Sequence, residues 1–411
     1  MVAADASGDV EEIDDWWEEN CSIIPPEPLR LILVAYLGTA LATVSLLFNL
    51  FLFIVLIKSR QHRKTHLLYL ILLALIDVFL SASYILLFPV NLFMDYFESE
   101  ILAEAWWSLL RPMLPLCHIA ITSSALLLTA ATFERFLTIS KIRSQFSTSK
   151  RLLISALALF FAAAAKGPMF FEMQVLPNGN CTGVTGYFPS MHEWVYEEPY
   201  NTVYKFWFRS IVSTFLPFFL SLNFNIRIIH RLRQQHLGAK LFRFQTSDHR
   251  KQIRSATMML VLVTCTYLAC NLLNVVVTAW EFIDQASLMT PEIRPFYTYS
   301  SDLVSLLTIV ASAARLPIYY FCNARIRHEV NVTLLRICNF TNKKLKLSRE
   351  NLATIRYFNT GNGYIIYSPT KEAAVAGTEF EDAKCIIGTG FDKIVLTVAM
   401  SGGSSKSQSI N

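Results

Sequence analysis

Residues 66–93 read HLLYLILLALIDVFLSASYILLFPVNLF, an apolar run with one carboxylate in it, Asp77. The hydrocarbon core of a bilayer asks for ~20 mostly apolar residues as helix. Six further runs meet that length: about Leu29–Ile57, Trp107–Ser140, Arg151–Phe171, Tyr204–Leu232, Arg254–Phe282 and Phe296–Cys322. Pro25, Pro26 and Pro28 suit the start of the first. The 411 residues are 53% hydrophobic and 16% charged, against roughly a quarter charged in soluble domains. Lipid is therefore the expected solvent. The pattern predicts an all-α membrane protein, a seven-transmembrane helix bundle over residues 29–322.

Basic residues fall in alternate connections. Lys58, Arg60, Arg63 and Lys64 follow the first span; Lys141, Arg143, Lys150 and Arg151 follow the third; Arg231, Arg233, Lys240, Arg243, Arg250, Lys251 and Arg254 follow the fifth; Arg325, Arg327 and Arg336 follow the seventh. The other connections carry Asp95, Glu98, Glu100, Glu104, Glu193, Glu197 and Glu198. The positive-inside rule then predicts an extracellular amino terminus and a cytoplasmic carboxyl terminus at the plasma membrane. Residues 1–28 form an acidic extracellular segment with nine acidic residues and no Lys or Arg. Met1–Asn20 has no apolar core of a signal peptide, so the first run is expected to act as its own insertion signal. Residues 323–340 read as a short amphipathic helix on the inner surface. Residues 341–411, with a Ser-rich end, read as a cytoplasmic disordered tail. No basic face suits a nucleic acid.

Ionisable groups inside spans are costly and mark candidate sites. Asp77 could join Asn49, Ser124, Asn271 and Ser312 around one sodium ion, an allosteric modulator rather than a cofactor. The alternative is a structural hydrogen-bond network between helices. Glu134-Arg135-Phe136 closes the third span. Arg135 either pairs with Glu134, reaches a partner protein, or snorkels to the interface.

Taken together, Asp77, Glu134-Arg135-Phe136, Pro217 in the fifth span and Leu316-Pro317-Ile318-Tyr319-Tyr320 in the seventh resemble the rhodopsin-like (class A) G-protein-coupled receptors over about Leu29–Cys338. The resemblance implies that Arg135 contacts the G protein, that Pro317 and Tyr320 belong to a switch in the seventh helix, and that Pro217 marks a bulge in the fifth. Cys270-Asn271, followed by Asn274 and Glu281, is similar to invertebrate receptors for FMRFamide-like neuropeptides. Several positions depart from the family pattern. The fourth span lacks its usual Trp, Leu316 stands where Asn or Asp is usual, and the inner end of the sixth span has no acid for a lock with Arg135. Most members bond a Cys at the outer end of the third helix to the second outer loop. Here that position is Leu110, and Cys117 lies two turns deeper, ~10 Å along the axis. Cys181 then has Cys21 as its preferred partner, with Cys117 as the alternative, or both outer cysteines are unbonded.

The acidic outer face favours a cationic ligand. By resemblance this is an amidated neuropeptide whose Arg would meet Glu281 or Asp302. Tyr84, Cys117, His118, Asn274 and Thr278 are candidates for the pocket wall; the plain reading is solvated rim carboxylates and helix packing. Asn20 and Asn180 begin glycosylation sequons, and Cys338 resembles a palmitoylation site. A heterotrimeric G protein is the implied partner, with arrestin and receptor kinases at the tail. No hydrolase, metal-protease or phosphate-loop motif appears, so no enzyme is expected. The rival functions are a chemosensory receptor for small molecules and, from another class, a transporter or channel, which would need a charged pore.

Overall fold

Lipid offers no partner to an exposed peptide group, so each apolar run must satisfy its own backbone, and each does so as helix. The computed structural model describes residues 21, 23, 25–140, 146–179, 181–241, 248–288, 290–337, 356–360 and 363–367. Among these, seven helices are long and apolar enough to cross a membrane: α1 Pro28–Lys58, α2 Leu67–Tyr96, α3 Glu100–Ile139, α4 Thr148–Glu172, α5 Tyr200–Gln235, α6 Arg254–Glu281 and α7 Arg294–Cys322. The expected seven-helix membrane bundle is the observed one. Asn20, Asn180 and Cys338, the expected modification sites, lie outside the described residues, as does most of the expected tail.

Apolar side chains point both ways. Leu52, Leu56, Leu70, Leu73, Leu127, Leu128, Met259 and Tyr319 are completely or almost completely buried and form one cluster. Leu47, Phe160, Phe219 and Leu272 are more than half exposed, as a bundle with an apolar solvent allows. Between helices the contacts turn polar. Thr129 on α3 meets Ser221 on α5 at 2.8 Å, and Thr132 meets Thr264 on α6 at 3.2 Å.

The hydropathy pattern predicts α3 from Trp107, yet the helix starts at Glu100. The Ser99 hydroxyl accepts from the Leu102 N–H, and Ala103 packs under Met94 and Val184. The extra turns are held by a cap and a local core, so hydropathy does not see them. In α5, wide π-type turns cover Tyr200–Phe208 and Ile211–Phe215, directly before Pro217. A proline removes one backbone donor, and irregular turns commonly accompany it.

The connection between α4 and α5 is an antiparallel hairpin, β1 Met173–Pro177 with β2 Tyr187–Met191, Met173 opposite Met191. Its Cys181 is bonded to Cys21, with Cα atoms 5.4 Å apart. Cys117 carries no disulfide, so the Cys21 pairing is the one formed. This end of the bundle is called the disulfide end below. After α7, Asn323 leaves helical geometry and a further helix, α8, spans residues 324–337. Its Ile326 and Val330 are buried in the main apolar cluster. The chain separates into two units, Met1–Leu334 and Leu335–Asn411. In the second, β3 Arg356–Thr360 pairs with β4 Gly363–Tyr367 as an antiparallel hairpin.

Loss of the Cys21–Cys181 bond should destabilise the disulfide end by about 2–5 kcal/mol. Cys21→Ser, Cys181→Ser and the double variant should melt at one common lower temperature. Additive losses in the double variant would contradict a bond between these two residues.

Candidate functional site

Asp77 is fully buried in the middle of α2. A carboxylate there must be paired. Ser312 Oγ donates to Asp77 Oδ1 at 3.1 Å, and Arg315 Nη1 donates to Oδ2. Arg315 Nη2 donates to Ser124 Oγ at 3.3 Å. Asn49 Nδ2 donates to the Ser312 carbonyl at 3.1 Å and to the Ser45 carbonyl at 2.9 Å, while Ser81 Oγ donates to Ser45 Oγ at 2.8 Å. Helices α1, α2, α3 and α7 are thus joined through one polar core.

Asn49, Asp77, Ser124 and Ser312 lie in this one network. Asn271 does not join them; its side chain donates to the Tyr267 carbonyl one turn back at 3.0 Å. The residue that sequence reasoning missed is Arg315. Its position suggests a helix end, yet its side chain is only 5% exposed and stands on Asp77. Helical spacing holds the signal, since Ser312 and Arg315 are three apart on one face, as Asp77 and Ser81 are four apart. The donors do not fit a sodium ion. Both Asp77 oxygens are engaged, one of them by a guanidinium that already supplies the positive charge.

At the end opposite the disulfide, Glu134 turns away from its neighbour Arg135. Its carboxylate takes Arg151 Nη2 at 2.8 Å and Arg151 Nε at 3.0 and 3.1 Å, while Arg151 Nη1 donates to the Lys64 carbonyl at 2.9 Å. The fork geometry of Arg suits a carboxylate held at two points. Arg135 is buried, with Nε and Nη2 lacking partners, and no ion pair to it exists among the described residues. A buried guanidinium without a counter-charge is costly. Phe136 stacks on Phe224 of α5, ring centroids 5.7 Å apart. Pro217 accepts from Thr129 through its carbonyl at 3.3 Å. In α7 the helix breaks at Ala314 and resumes at Arg315. Pro317 lies in the resumed segment, and Tyr320 Oη donates to Asn331 Oδ1 of α8 at 3.2 Å. Tyr319, which no motif singles out, is the fully buried tyrosine of that turn.

His62, in the connection after α1, is fully buried, with Nε2 3.3 Å from Glu329 of α8. The contact looks like an ion pair, but neither imidazole nitrogen makes a hydrogen bond, and Glu329 also faces Arg325 at 3.5 Å. Burial therefore outweighs the carboxylate, and the His62 pKa falls below its ordinary 6.5.

Near the disulfide end, the two carboxylates expected to await a ligand have different settings. Asp302 is buried and takes Arg30 Nε at 2.7 Å, so its cation comes from α1 of the same chain. Glu281 accepts only from the neutral Tyr297 hydroxyl, at 2.6 Å, among the described residues. Asn274 and Thr278 are half-buried and share its face of α6 by spacing. His118 lies within electrostatic reach of Lys166 and Arg209, and Lys166 within reach of Glu281. Cys117 faces Ser83 of α2. Tyr84 is buried and packs elsewhere. It stacks on Phe88 at 4.6 Å and presses on α1 so closely that a Cβ on Gly38 would lie 2.2 Å from its hydroxyl. A second buried pair, Glu172 with Arg209, escaped the sequence pattern; Arg209 Nη1 donates to Glu172 Oε2 at 3.0 Å and Tyr200 Oη to Oε1 at 2.5 Å. Lys166 has no ion pair or hydrogen bond among the described residues.

A family model described as 7 transmembrane receptor (rhodopsin family) matches residues 48–320. No curated protein matches the chain.

A histidine with a lowered folded pKa leaves the unfolded chain to bind the proton first. Its contribution to stability is present above pH 6.5 and is lost as pH falls below it. Melting temperature should drop between pH 6.5 and 5, and His62→Gln should flatten that slope. An unchanged slope in the variant would assign the loss to other groups.

Proposed function

Because the chain belongs to the rhodopsin family of seven-transmembrane receptors, a family of receptors and not of enzymes, we propose that it carries an extracellular signal to a heterotrimeric G protein. The observation that carries the reading is Arg135, buried at the end opposite the disulfide, with Nε and Nη2 lacking partners and no ion pair among the described residues. The disulfide supports placing its own end outside, where thiols are oxidised. Loop charge supports the same orientation. Ligand binding outside would shift a two-state bundle toward an open inner cavity in which Arg135 meets the G protein. The shift is bounded by the difference in ligand affinity between the two states.

For the ligand we propose a cationic peptide, in line with the resemblance to receptors for amidated FMRFamide-like neuropeptides. Glu281 is the carboxylate left for its Arg, since Asp302 is satisfied by Arg30. The acidic side chains of the outer connections would draw such a peptide in. A second reading rests on Lys166: a cation with no ion pair or hydrogen bond among the described residues favours a small acidic ligand, as a chemosensory receptor would take.

Screening amidated peptides and small acids on cells with a promiscuous G protein separates the two. A response to Arg-containing peptides that Glu281→Gln weakens about tenfold or more, with Ala-substituted analogues little changed, supports the peptide. Equal losses for both remove Glu281 from the pocket, and a response to acids alone replaces the peptide reading. Arg135→Ala should abolish signalling with surface expression retained. Arg151→Met should release Glu134 to pair with Arg135 and lower basal signalling; an unchanged basal level would show that the Glu134–Arg151 pair does not control it.

A further inference from the structure

We infer that this receptor carries its own cation at Asp77: the Arg315 guanidinium, tethered to α7, occupies the position that a sodium ion would need, and so makes the folded state indifferent to sodium. Arg315 Nη1 and Ser312 Oγ engage the two Asp77 oxygens, and Ser124 Oγ, a donor a free ion would use, accepts from Arg315 Nη2. Asn49 directs its Nδ2 to the Ser312 and Ser45 carbonyls. One carboxylate and one guanidinium leave this core neutral. A further cation would leave a net buried charge in a place that water does not reach, which is strongly disfavoured.

The tether has a mechanical consequence. A free ion can leave while the helices stay in place. Arg315 opens the segment after the break at Ala314, two residues before Pro317. Because it is tethered, it can leave Asp77 only by swinging its side chain within the bundle or by moving with that segment. The pair is therefore a clamp between α2 and the end segment of α7. Its cation cannot be lost by ion exchange.

The test uses the full chain in lipid nanodiscs, melted in sodium chloride or in N-methyl-D-glucamine chloride at equal ionic strength. The wild-type chain should melt at the same temperature in both. A sodium-specific rise that Asp77→Asn removes would overturn the proposal. Arg315→Met should acquire a sodium-specific rise of roughly 2 °C or more, as binding to the folded state alone requires, and Asp77→Asn in that background should remove it. A folded Arg315→Met with no sodium response would overturn the claim that Arg315 displaces an ion. Where Arg315→Met fails to fold, the double variant Asp77→Asn/Arg315→Met should recover folding, because the unpaired carboxylate is then gone. A double variant as unstable as the single one would count against the pair itself.

Discussion

A carboxylate in the middle of a helix with lipid around it has to be paired or protonated, and Asp77 is paired. Its partner comes from α7, more than two hundred residues along the chain. Around the pair, Ser312, Ser124, Asn49, Ser45 and Ser81 make one connected set of hydrogen bonds. Such a core adds little stability by itself, since desolvation of two charges offsets most of their attraction. Its effect is on specificity. Removing either charge leaves the other buried and unpaired, at about 3–5 kcal/mol. Four helices are thereby held in one register, and the break in α7 is held at one depth.

The two ends of the bundle are finished differently. At the disulfide end, Cys21–Cys181 and Arg30–Asp302 tie the amino-terminal segment and α1 across to the α4–α5 hairpin and to α7. At the other end, Arg151 takes Glu134 and the Lys64 carbonyl, so three elements meet at one guanidinium. The consequence falls on Arg135. Its neighbouring acid is engaged elsewhere, and the residue that a motif would pair with Glu134 is left buried with open donors. The acid–Arg–aromatic triplet is the same string of residues in either arrangement. Which Arg the Glu accepts depends on where α4 begins.

Much of the fold was legible. Seven apolar runs became seven helices, because hydropathy over ~20 residues reports the solvent directly. Boundaries failed where something other than lipid decided them, as at Ser99, whose cap starts α3 well before the apolar run. The candidate site was legible in part. Asn49, Asp77, Ser124 and Ser312 were marked by being polar among apolar neighbours, and they do meet. Tyr84 carried the same mark, yet Gly38 gives it room to pack between α1 and α2. Asp302 reads as an open carboxylate until Arg30 is seen on it.

The sequence by itself determined the number of spans, their polar interruptions and the charge of each connection. These depend on transfer between water and lipid, a property of each residue and its near neighbours. Only the tertiary structure decided who neutralises whom: Arg315 on Asp77, Arg151 on Glu134, Arg30 on Asp302, Arg209 on Glu172. Each of these pairs spans two helices or the segments flanking them. Its geometry depends on how those helices are rotated and how deep they sit, and packing sets both. That is why the run around Asp77 announces a membrane helix with a charge to satisfy, while the cation that satisfies it appears only once α7 is packed against α2.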